Sequence, residues 1–347
     1  MNKELPKILC TSVIRYSQKG ESHGKVYFVD LNSDNFREVI DWNDPLINWE
    51  GIGCNRGLRG IAFYNEKIYI AATDKIIVFN KDFQILEFIK NKYLQYCHEI
   101  YIFNNILYIT STFYDSILQY NLISKSFKKG FYLKSGTILR FLVNLDKRID
   151  NKITNKPVKK LLRLLLNFII LIRKNKKPHL ITFNPNSNDG PKLIDIYHIN
   201  NVFKKKEKLY LSGANTMFSY FIKNDKLYCF SKGNLGTHNL RPYNNGILLN
   251  DTNYELVTYK DRYGKIVESF QIIAYDKKEL LNAHLPYNYA KQSFGRGLCI
   301  TSDGLIIGGS SPATISIYQF GQKKAIKTIK LSNDMKNAIH GLEIWPF

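Results

Sequence analysis

A repeated unit of four short apolar runs constrains this chain more than any other feature. The first copy spans Arg59 to Ile89 and reads RGIAFYNEKIYIAATDKIIVFNKDFQILEFI, with turns of Asn-Glu, Thr-Asp and Asn-Lys-Asp between the runs. Short runs rich in Ile, Val, Tyr and Phe predict the strands of an antiparallel meander. The pattern restarts at His98, 39 residues after Arg59. A four-stranded unit with a period of about 40 residues is typical of a β-propeller blade.

The two ends of the chain complete the count of blades. The C-terminus ends on AIHGLEIWPF, a lone first strand, and the N-terminus supplies three strands without a first one, ILCTSVIRY, KVYFVDL and REVIDW. Together they predict one blade closed by both ends, which removes the edges of an open ring. The other five blades begin at Arg59, His98, His198, His238 and Arg296. The sequence therefore predicts an all-β, six-bladed β-propeller with N-/C-terminal ring closure, as a single domain over residues 1–347.

A basic and hydrophobic segment, residues 134–178, interrupts the repeat between blades two and three. Its centre, VKKLLRLLLNFIILI at residues 158–172, predicts a helix. Such a helix is about 22 Å long, shorter than the roughly 30 Å hydrocarbon core of a bilayer, so a transmembrane span is not expected. Three interpretations stay open: a helix packed on the propeller rim, an interfacial helix on an anionic membrane, or a contact for a partner protein.

The net charge of +21 raises the question of nucleic-acid or membrane binding, and its distribution answers part of it. Residues 147–177 hold eleven Lys or Arg against one acid, Asp150, a net +10. The remaining charge is scattered singly over turns, which is typical of a solvated surface. No aromatic and basic strand motif of a nucleic-acid reader occurs, so nucleic-acid binding is not expected. An anionic membrane surface is one of the partners that stay open for residues 147–177.

Cysteine usage and the N-terminus bear on localisation. Five widely spaced cysteines include no CxxC pair, which predicts buried, reduced thiols: Cys10, Cys54, Cys97, Cys229 and Cys299. The N-terminal MNKELPKILCTSVIRYS lacks the apolar core of a signal peptide. We therefore expect a cytoplasmic protein, with the basic insertion as an alternative means of peripheral attachment to the inner membrane face.

One position recurs at the start of every blade. It is occupied by Arg59, His98, His198, His238, Arg296 and His340, so four of the seven histidines fall there. The first strand of a blade is innermost, and these side chains are expected to surround one mouth of the central channel. Repetition alone favours a structural role, because structural roles recur from blade to blade. The mixture of His and Arg favours a ligand site, as do the polar neighbours Glu99, Asn200, Arg241 and Glu343.

Three stretches carry a family resemblance: HINNV with LYLSGANT, then THNLRPYNNGILLNDT, then RGLCITSDGLIIGGSS. They resemble an uncharacterised bacterial six-bladed β-propeller family, a conserved protein of unknown function, over roughly residues 50–130 and 195–347. The resemblance implies the propeller and places His198, Asn200, His238 and Arg296 at matching motif positions, but it implies no established reaction. The insertion is not part of the family pattern, so a membrane role rests on this sequence alone.

Three functional hypotheses follow. The first is a propeller that binds a small anionic molecule, such as a sugar acid, a carboxylate or a phosphorylated glycan precursor, because arginines supply fork-shaped donors. Its ligand-binding residues would be Arg59, His98, His198, Asn200, His238, Arg241, Arg296 and His340. The second is a metal-dependent lyase or hydrolase with Glu99 as general base. Its divalent metal, Zn, Fe, Mn or Cu, would be bound by His98, His198, His238 and His340, although no HExxH or comparable spacing supports it.

The third hypothesis is a membrane-associated scaffold that docks through residues 158–172, with the histidines serving only the fold. The sequence does not decide whether the protein is an enzyme, and it indicates no oligomeric state.

Overall fold

The chain folds into six antiparallel sheets, each of which is one blade of a propeller. The computed structural model describes residues 4–43, 56–136, 142, 145, 169, 177–233, 235–286 and 291–347. Five of the blades have their strands in chain order, four strands in four of these blades and five in blade two. In the sixth blade the C-terminal strand Asn337–Ile344 precedes the three N-terminal strands Lys7–Ile14, Gly24–Asp30 and Phe36–Trp42. The predicted six-bladed propeller is confirmed, including its closure by both ends of the chain.

The strands occupy four ranks from the axis outward. The inner strands are β4 (Ile61–Tyr64), β8 (Ile100–Phe103), β13 (Ile199–Lys205), β17 (Thr237–Tyr243), β21 (Arg296–Ile300) and β25 (Asn337–Ile344). The second strands are β5 (Lys67–Ala71), β9 (Ile106–Ser111), β14 (Lys208–Gly213), β18 (Gly246–Asp251), β22 (Ile306–Ser310) and β1 (Lys7–Ile14). The third strands are β6 (Lys75–Phe79), β10 (Ser116–Asn121), β15 (Phe218–Lys223), β19 (Leu256–Lys260), β23 (Thr314–Tyr318) and β2 (Gly24–Asp30). The outer strands are β7 (Ile85–Lys90), β11 (Ser126–Lys134), β16 (Lys226–Lys232), β20 (Ile266–Gln271), β24 (Lys327–Lys330) and β3 (Phe36–Trp42).

Buried apolar residues lie between each pair of adjacent blades, because side chains alternate between the two faces of every strand. Six clusters fill the six interfaces, one of which joins Leu9 and Val26 of the closure blade to Ile61 and Ile68 of blade one. In that blade β25 pairs with β1, Cys10 opposite Leu342, so strands from the two termini are hydrogen-bonded neighbours. The ring is therefore closed by both packing and backbone hydrogen bonds.

Blade two has a fifth strand that the sequence analysis missed. β12 (His179–Phe183) pairs antiparallel with the outer strand β11, and Lys134 lies opposite His179. The segment between these two residues is the predicted insertion, and it leaves and re-enters the sheet at adjacent positions. The helix predicted at residues 158–172 falls, except for Ile169, outside the described residues.

Helix is scarce in the described part of the chain, which has the two 3-10 turns Thr112–Tyr114 and Lys277–Glu279. Within those same residues, no helix has the length and apolar character needed to cross a membrane. The prediction of buried thiols holds for Cys10, Cys97 and Cys299 but is wrong for Cys229, which is exposed because it lies in an outer strand. Cys54 lies outside the described residues.

Candidate functional site

The repeated His or Arg position lies within two residues of the start of five inner strands, and in β25 it is the fourth residue of the strand, His340. Four of these strands carry a β-bulge there, at Asn200 in β13, beyond His238 in β17, at Gly297 in β21 and at His340 in β25. Gly297 has a backbone φ of +73°, which residues with a side chain rarely adopt. A bulge leaves one residue unpaired and re-aims its neighbours, so these bulges turn polar side chains toward the axis.

Three imidazoles form a cluster at this mouth. The ring centre of His98 lies 5.3 Å from that of His198 and 5.1 Å from that of His340. His238 lies by Phe294 instead, with 6.4 Å between the ring centres. The structure thus brings histidines from blades two, three and six together, as the sequence predicts for residues at one channel mouth.

Hydrogen bonds to the protein fix the tautomers of these histidines. His98 Nδ1 lies 3.0 Å from the carbonyl oxygen of Tyr96 and 2.8 Å from Thr112 Oγ1, whose own hydrogen goes to the Ile199 carbonyl. His238 Nδ1 lies 2.9 Å from the Gly236 carbonyl oxygen. A carbonyl can only accept, so Nδ1 carries the hydrogen in both rings. His198 Nδ1 likewise donates to Asp195 Oδ2 at 2.8 Å.

The buried histidines of the mouth are neutral. Burial lowers the pKa of His98 well below the ordinary value, and the nearby Arg59 lowers it further. For His238, burial is the main cause of a lowered pKa and the positive charge of Arg296 is the second cause. For His340, burial is again the main cause and the charge of Arg59 is the second. With Nδ1 protonated and no charge on the ring, Nε2 of His98 and of His238 presents a lone pair.

Arginines at the mouth stack on aromatic rings. The guanidinium of Arg59 lies 4.5 Å from the ring centre of Tyr96. Phe294 is approached by two guanidinium groups, that of Arg296 at 4.2 Å and that of Arg15 at 4.6 Å. Stacking of this kind holds the plane of each guanidinium group against the aromatic ring.

Arg296 has no acidic partner among the described residues, and its buried Nη1 makes no hydrogen bond. Burial and then the neighbouring Arg15 lower the pKa of Arg296 well below its ordinary value. A guanidinium keeps its proton in proteins, so this shift marks a cation that lacks a compensating charge.

The acidic residues of the channel form its floor. Arg241 Nη2 donates to Glu99 Oε2 at 2.9 Å and to Glu343 Oε1 at 3.2 Å, and Asn239 donates to Glu99 Oε1 at 2.8 Å. Glu99, Arg241 and Glu343 belong to blades two, four and six, so alternate blades are tied together across the axis. We call these three residues the floor cluster.

Charges in the floor cluster depend on each other. Burial raises the pKa of Glu99 while Arg241 opposes that rise, and burial raises the pKa of Glu343 to about 7. Burial alone would lower the pKa of Arg241, but the two carboxylates outweigh it and raise it. Arg241 Nη1 also donates to Asn201 Oδ1 at 3.2 Å, so both terminal nitrogens of Arg241 contact the protein.

These contacts separate the predicted site residues into two groups. Arg59, Arg296 and the histidines surround the mouth, whereas Arg241 and the suggested general base Glu99 are bound to each other in the floor cluster. Asn200 donates from Nδ2 to the Thr237 carbonyl at 3.3 Å, and its buried Oδ1 has no partner among the described residues. In that part of the chain no three His, Cys, Asp or Glu side chains are placed to share a metal ion, so the metal site stays a prediction.

The sequence analysis missed Arg15, Tyr96 and Phe294. The two aromatic residues have a signal in the repeat, since each stands two positions before the repeated residue of its blade, Tyr96 before His98 and Phe294 before Arg296. Arg15 follows the second strand of the closure blade and reaches Phe294 only because the ring closes.

Comparison with known proteins supports the fold and leaves the activity open. A Bacteroides caccae protein of unknown function is 10% identical, with a TM-score of 0.51 over 97% of this chain and 98% of its own. A virginiamycin B lyase from Staphylococcus aureus is 12% identical, with a TM-score of 0.38 over 77% of this chain and 71% of its own. The WD40 β-propeller domain of Doa1 is 11% identical, with a TM-score of 0.43 over 79% and 68%. No protein-family model and no curated protein matches the chain.

Proposed function

We propose that this propeller binds a small anionic ligand at the channel mouth surrounded by Arg59, His98, His198, His238, Arg296 and His340. The observation that carries the proposal is Arg296, a cation with a buried Nη1 that has neither a hydrogen bond nor an acidic partner among the described residues. An unpaired buried charge is costly, and an anion placed against it would recover that cost.

The charged residues near Arg296 also favour an anionic ligand. Arg15 and Arg59 lie close enough to Arg296 to depress its pKa further than burial alone does. The two carboxylates of the floor cluster, Glu99 and Glu343, are already bound by Arg241. The floor cluster therefore offers Arg296 no free carboxylate. Stacked guanidinium groups lose little freedom when an anion binds, which favours affinity.

The test is calorimetric titration with six small compounds: hexanoate, adipate, gluconate, glucuronate, glucose 1-phosphate and uncharged sorbitol. We expect saturable binding of at least one anion to the unaltered protein. In the variant Arg296→Gln we expect affinity to fall by about 10- to 100-fold, since a hydrogen bond to a charged group contributes about 1.5–3 kcal/mol.

Arg37→Gln is the matched control, because Arg37 is an exposed arginine that also stacks on a phenyl ring, 5.3 Å from the centre of Phe28. Its affinity should equal that of the unaltered protein. Binding of the anions that survives Arg296→Gln, or no binding of any anion in the millimolar range, contradicts the proposal. The enzyme, metal and membrane hypotheses and the cytoplasmic localisation stay predictions.

A further inference from the structure

The chemistry of the ligand can be narrowed from the lone pairs that the mouth leaves without partners. Neutral His98 and His238 each use Nδ1–H within the protein, so that Nε2 can only accept a hydrogen bond. The Nε2 atom of His238 is buried and has no partner among the described residues. Asn200 adds a second buried acceptor of this kind, its Oδ1 atom.

Buried polar atoms without partners are rare, because each costs the desolvation energy of the group. Among the described residues, this mouth contains the unpaired acceptors His238 Nε2 and Asn200 Oδ1 and the unpaired donor Arg296 Nη1. The site therefore offers two complementary halves, a cationic one that suits an oxyanion and an accepting one that suits O–H or N–H donors.

The aromatic side chains restrict the ligand further. One face of Tyr96 is stacked on Phe113, with 4.7 Å between ring centres, and Arg59 lies over the ring. Phe294 is approached by both Arg15 and Arg296. Neither ring has a broad free face on which a nucleobase could stack, so the site does not suit nucleotides.

The floor cluster restricts the length of the ligand. Since Glu99, Arg241 and Glu343 connect alternate blades across the axis, a molecule entering at the histidines cannot thread through the channel. The ligand, or the end of it that binds, must be short enough to fit above the floor.

We infer that the anionic ligand of this site is a polyhydroxylated acid of the aldonate or uronate type. Its carboxylate would lie against Arg296, and its hydroxyl groups would donate to Nε2 of His238 and of His98. The inference rests on the proposed function, because it identifies the chemical class of the same ligand.

The experiment compares compounds that differ in one half of this chemistry. Gluconate has both halves, hexanoate has the carboxylate without hydroxyls, and sorbitol has the hydroxyls without the charge. In metal-free buffer with a chelator we expect gluconate or glucuronate to bind at least tenfold more tightly than hexanoate or sorbitol. Unpaired polar groups of a site reject an analogue that lacks the matching group by a factor of at least this size.

His238→Phe should lower the affinity for gluconate to that for hexanoate, while His238→Gln, which keeps an acceptor, should retain part of the difference. Nitrogen-15 NMR of labelled histidine in the unaltered protein provides a second measurement, one that does not depend on how these variants fold. The Nε2 signal of His238 should be that of an unprotonated nitrogen and should shift when gluconate, but not hexanoate, is added.

Each outcome has a separate meaning. Equal binding of hexanoate and gluconate, both lost in Arg296→Gln, overturns the hydroxyl inference and leaves the proposed function standing. Equal binding of sorbitol and gluconate, or no binding by any acid, contradicts the proposed function itself. Binding that appears only when a divalent metal replaces the chelator also overturns the inference, because the imidazole lone pairs would then be metal ligands.

Discussion

We expect substitutions in the floor cluster to cause large losses of stability that do not add. The variant Glu99→Leu removes the carboxylate that accepts from Arg241 at 2.9 Å and from Asn239 at 2.8 Å. Glu99 is 3% exposed and Arg241 6%, so water cannot replace the lost partner. Removing one member of a buried ion pair costs about 3–5 kcal/mol, because the remaining charge stays buried with too little compensation. In Glu99→Leu, Arg241 keeps a single carboxylate partner, Glu343 at 3.2 Å.

This loss of stability can be converted into an expected decrease in the melting temperature. Unfolding entropies of about 2.1 cal/mol/K per residue amount to about 0.7 kcal/mol/K for this chain of 347 residues. We therefore expect Glu99→Leu to lower the Tm by about 4–7 °C. A control at an exposed pair, Lys125→Gln, removes the contact of 3.1 Å with Glu87 and should lower the Tm by about 1 °C or less.

A double-mutant cycle tests the reasoning more sharply than the single variant. In Glu99→Leu/Arg241→Leu the buried cation is gone together with Glu99, and apolar replacement of a buried pair is often close to neutral. Glu343 loses Arg241 as its partner, but burial raises its pKa, so it can hold a proton instead of a buried charge. Calorimetry of the four proteins should give a double variant that is more stable than the sum of the single losses predicts. Losses that simply add would show that the pair contributes no coupling, and the description of the floor cluster as an interacting unit would be wrong.

Four further predictions follow. In Glu343→Gln, stability measured by urea unfolding should depend less on pH than in the unaltered protein. Burial raises the pKa of Glu343 to about 7 in the folded chain, whereas in the unfolded chain the pKa has its ordinary value of 4.5. The folded chain therefore holds a proton that the unfolded chain has lost between these two pH values, and stability falls as pH rises there, by at most about 1.4 kcal/mol per pH unit. An unchanged slope in the variant contradicts the raised pKa. Deleting residues 147–176 should leave the Tm of the propeller within about 2 °C, because the deletion keeps Leu142 and Leu145, which pack against the core, and lies between two paired neighbouring strands. The deletion should abolish sedimentation with anionic vesicles, and vesicle binding that persists rules out the deleted segment as the membrane contact. Phe294→Leu should weaken binding of gluconate about three- to fivefold by releasing two stacked guanidinium groups, and unchanged affinity would show that stacking does not position them. Cys229 should react with a maleimide in the folded protein while the three buried cysteines react only after unfolding, as intact-mass measurement would show.

The architecture could be predicted from the sequence because it depends on local patterns. Strand runs, turns and a period of about 40 residues recur along the chain, and each copy reports the same unit. The one strand that was missed, His179–Phe183, is the exception that has no counterpart in the other blades. It lies beyond the repeat, and only its pairing with Ser126–Lys134 makes it part of blade two.

The mouth could be predicted in part for the same reason. A residue that recurs at the first strand of every blade must recur around the axis, so the ring of His and Arg follows from the repeat. Which of those residues keep unpaired atoms does not follow. The tautomer of His98 depends on Thr112 and on the carbonyl of Ile199 in the next blade, a contact between residues 87 positions apart.

The floor cluster shows why the roles of individual channel residues could not be predicted from the sequence. Arg241 meets Glu99 across 142 positions of the chain and Glu343 across 102, and nothing in the local pattern of any of the three distinguishes a ligand-binding residue from a structural one. Their roles are decided by proximity across the axis: an arginine that finds two carboxylates becomes part of the floor, whereas Arg296, which finds none among the described residues, keeps its charge for the mouth. The same residue type therefore takes opposite roles at two levels of one channel. The variant Glu99→Gln/Glu343→Gln tests whether the acidic partners decide these roles, because Arg241 then loses both of them. Gluconate should bind to this variant at a second, weaker site, and the additional substitution Arg241→Gln should remove that site. If calorimetry still shows a single site in that variant, depth in the channel rather than the pairing of charges decides where the anion binds.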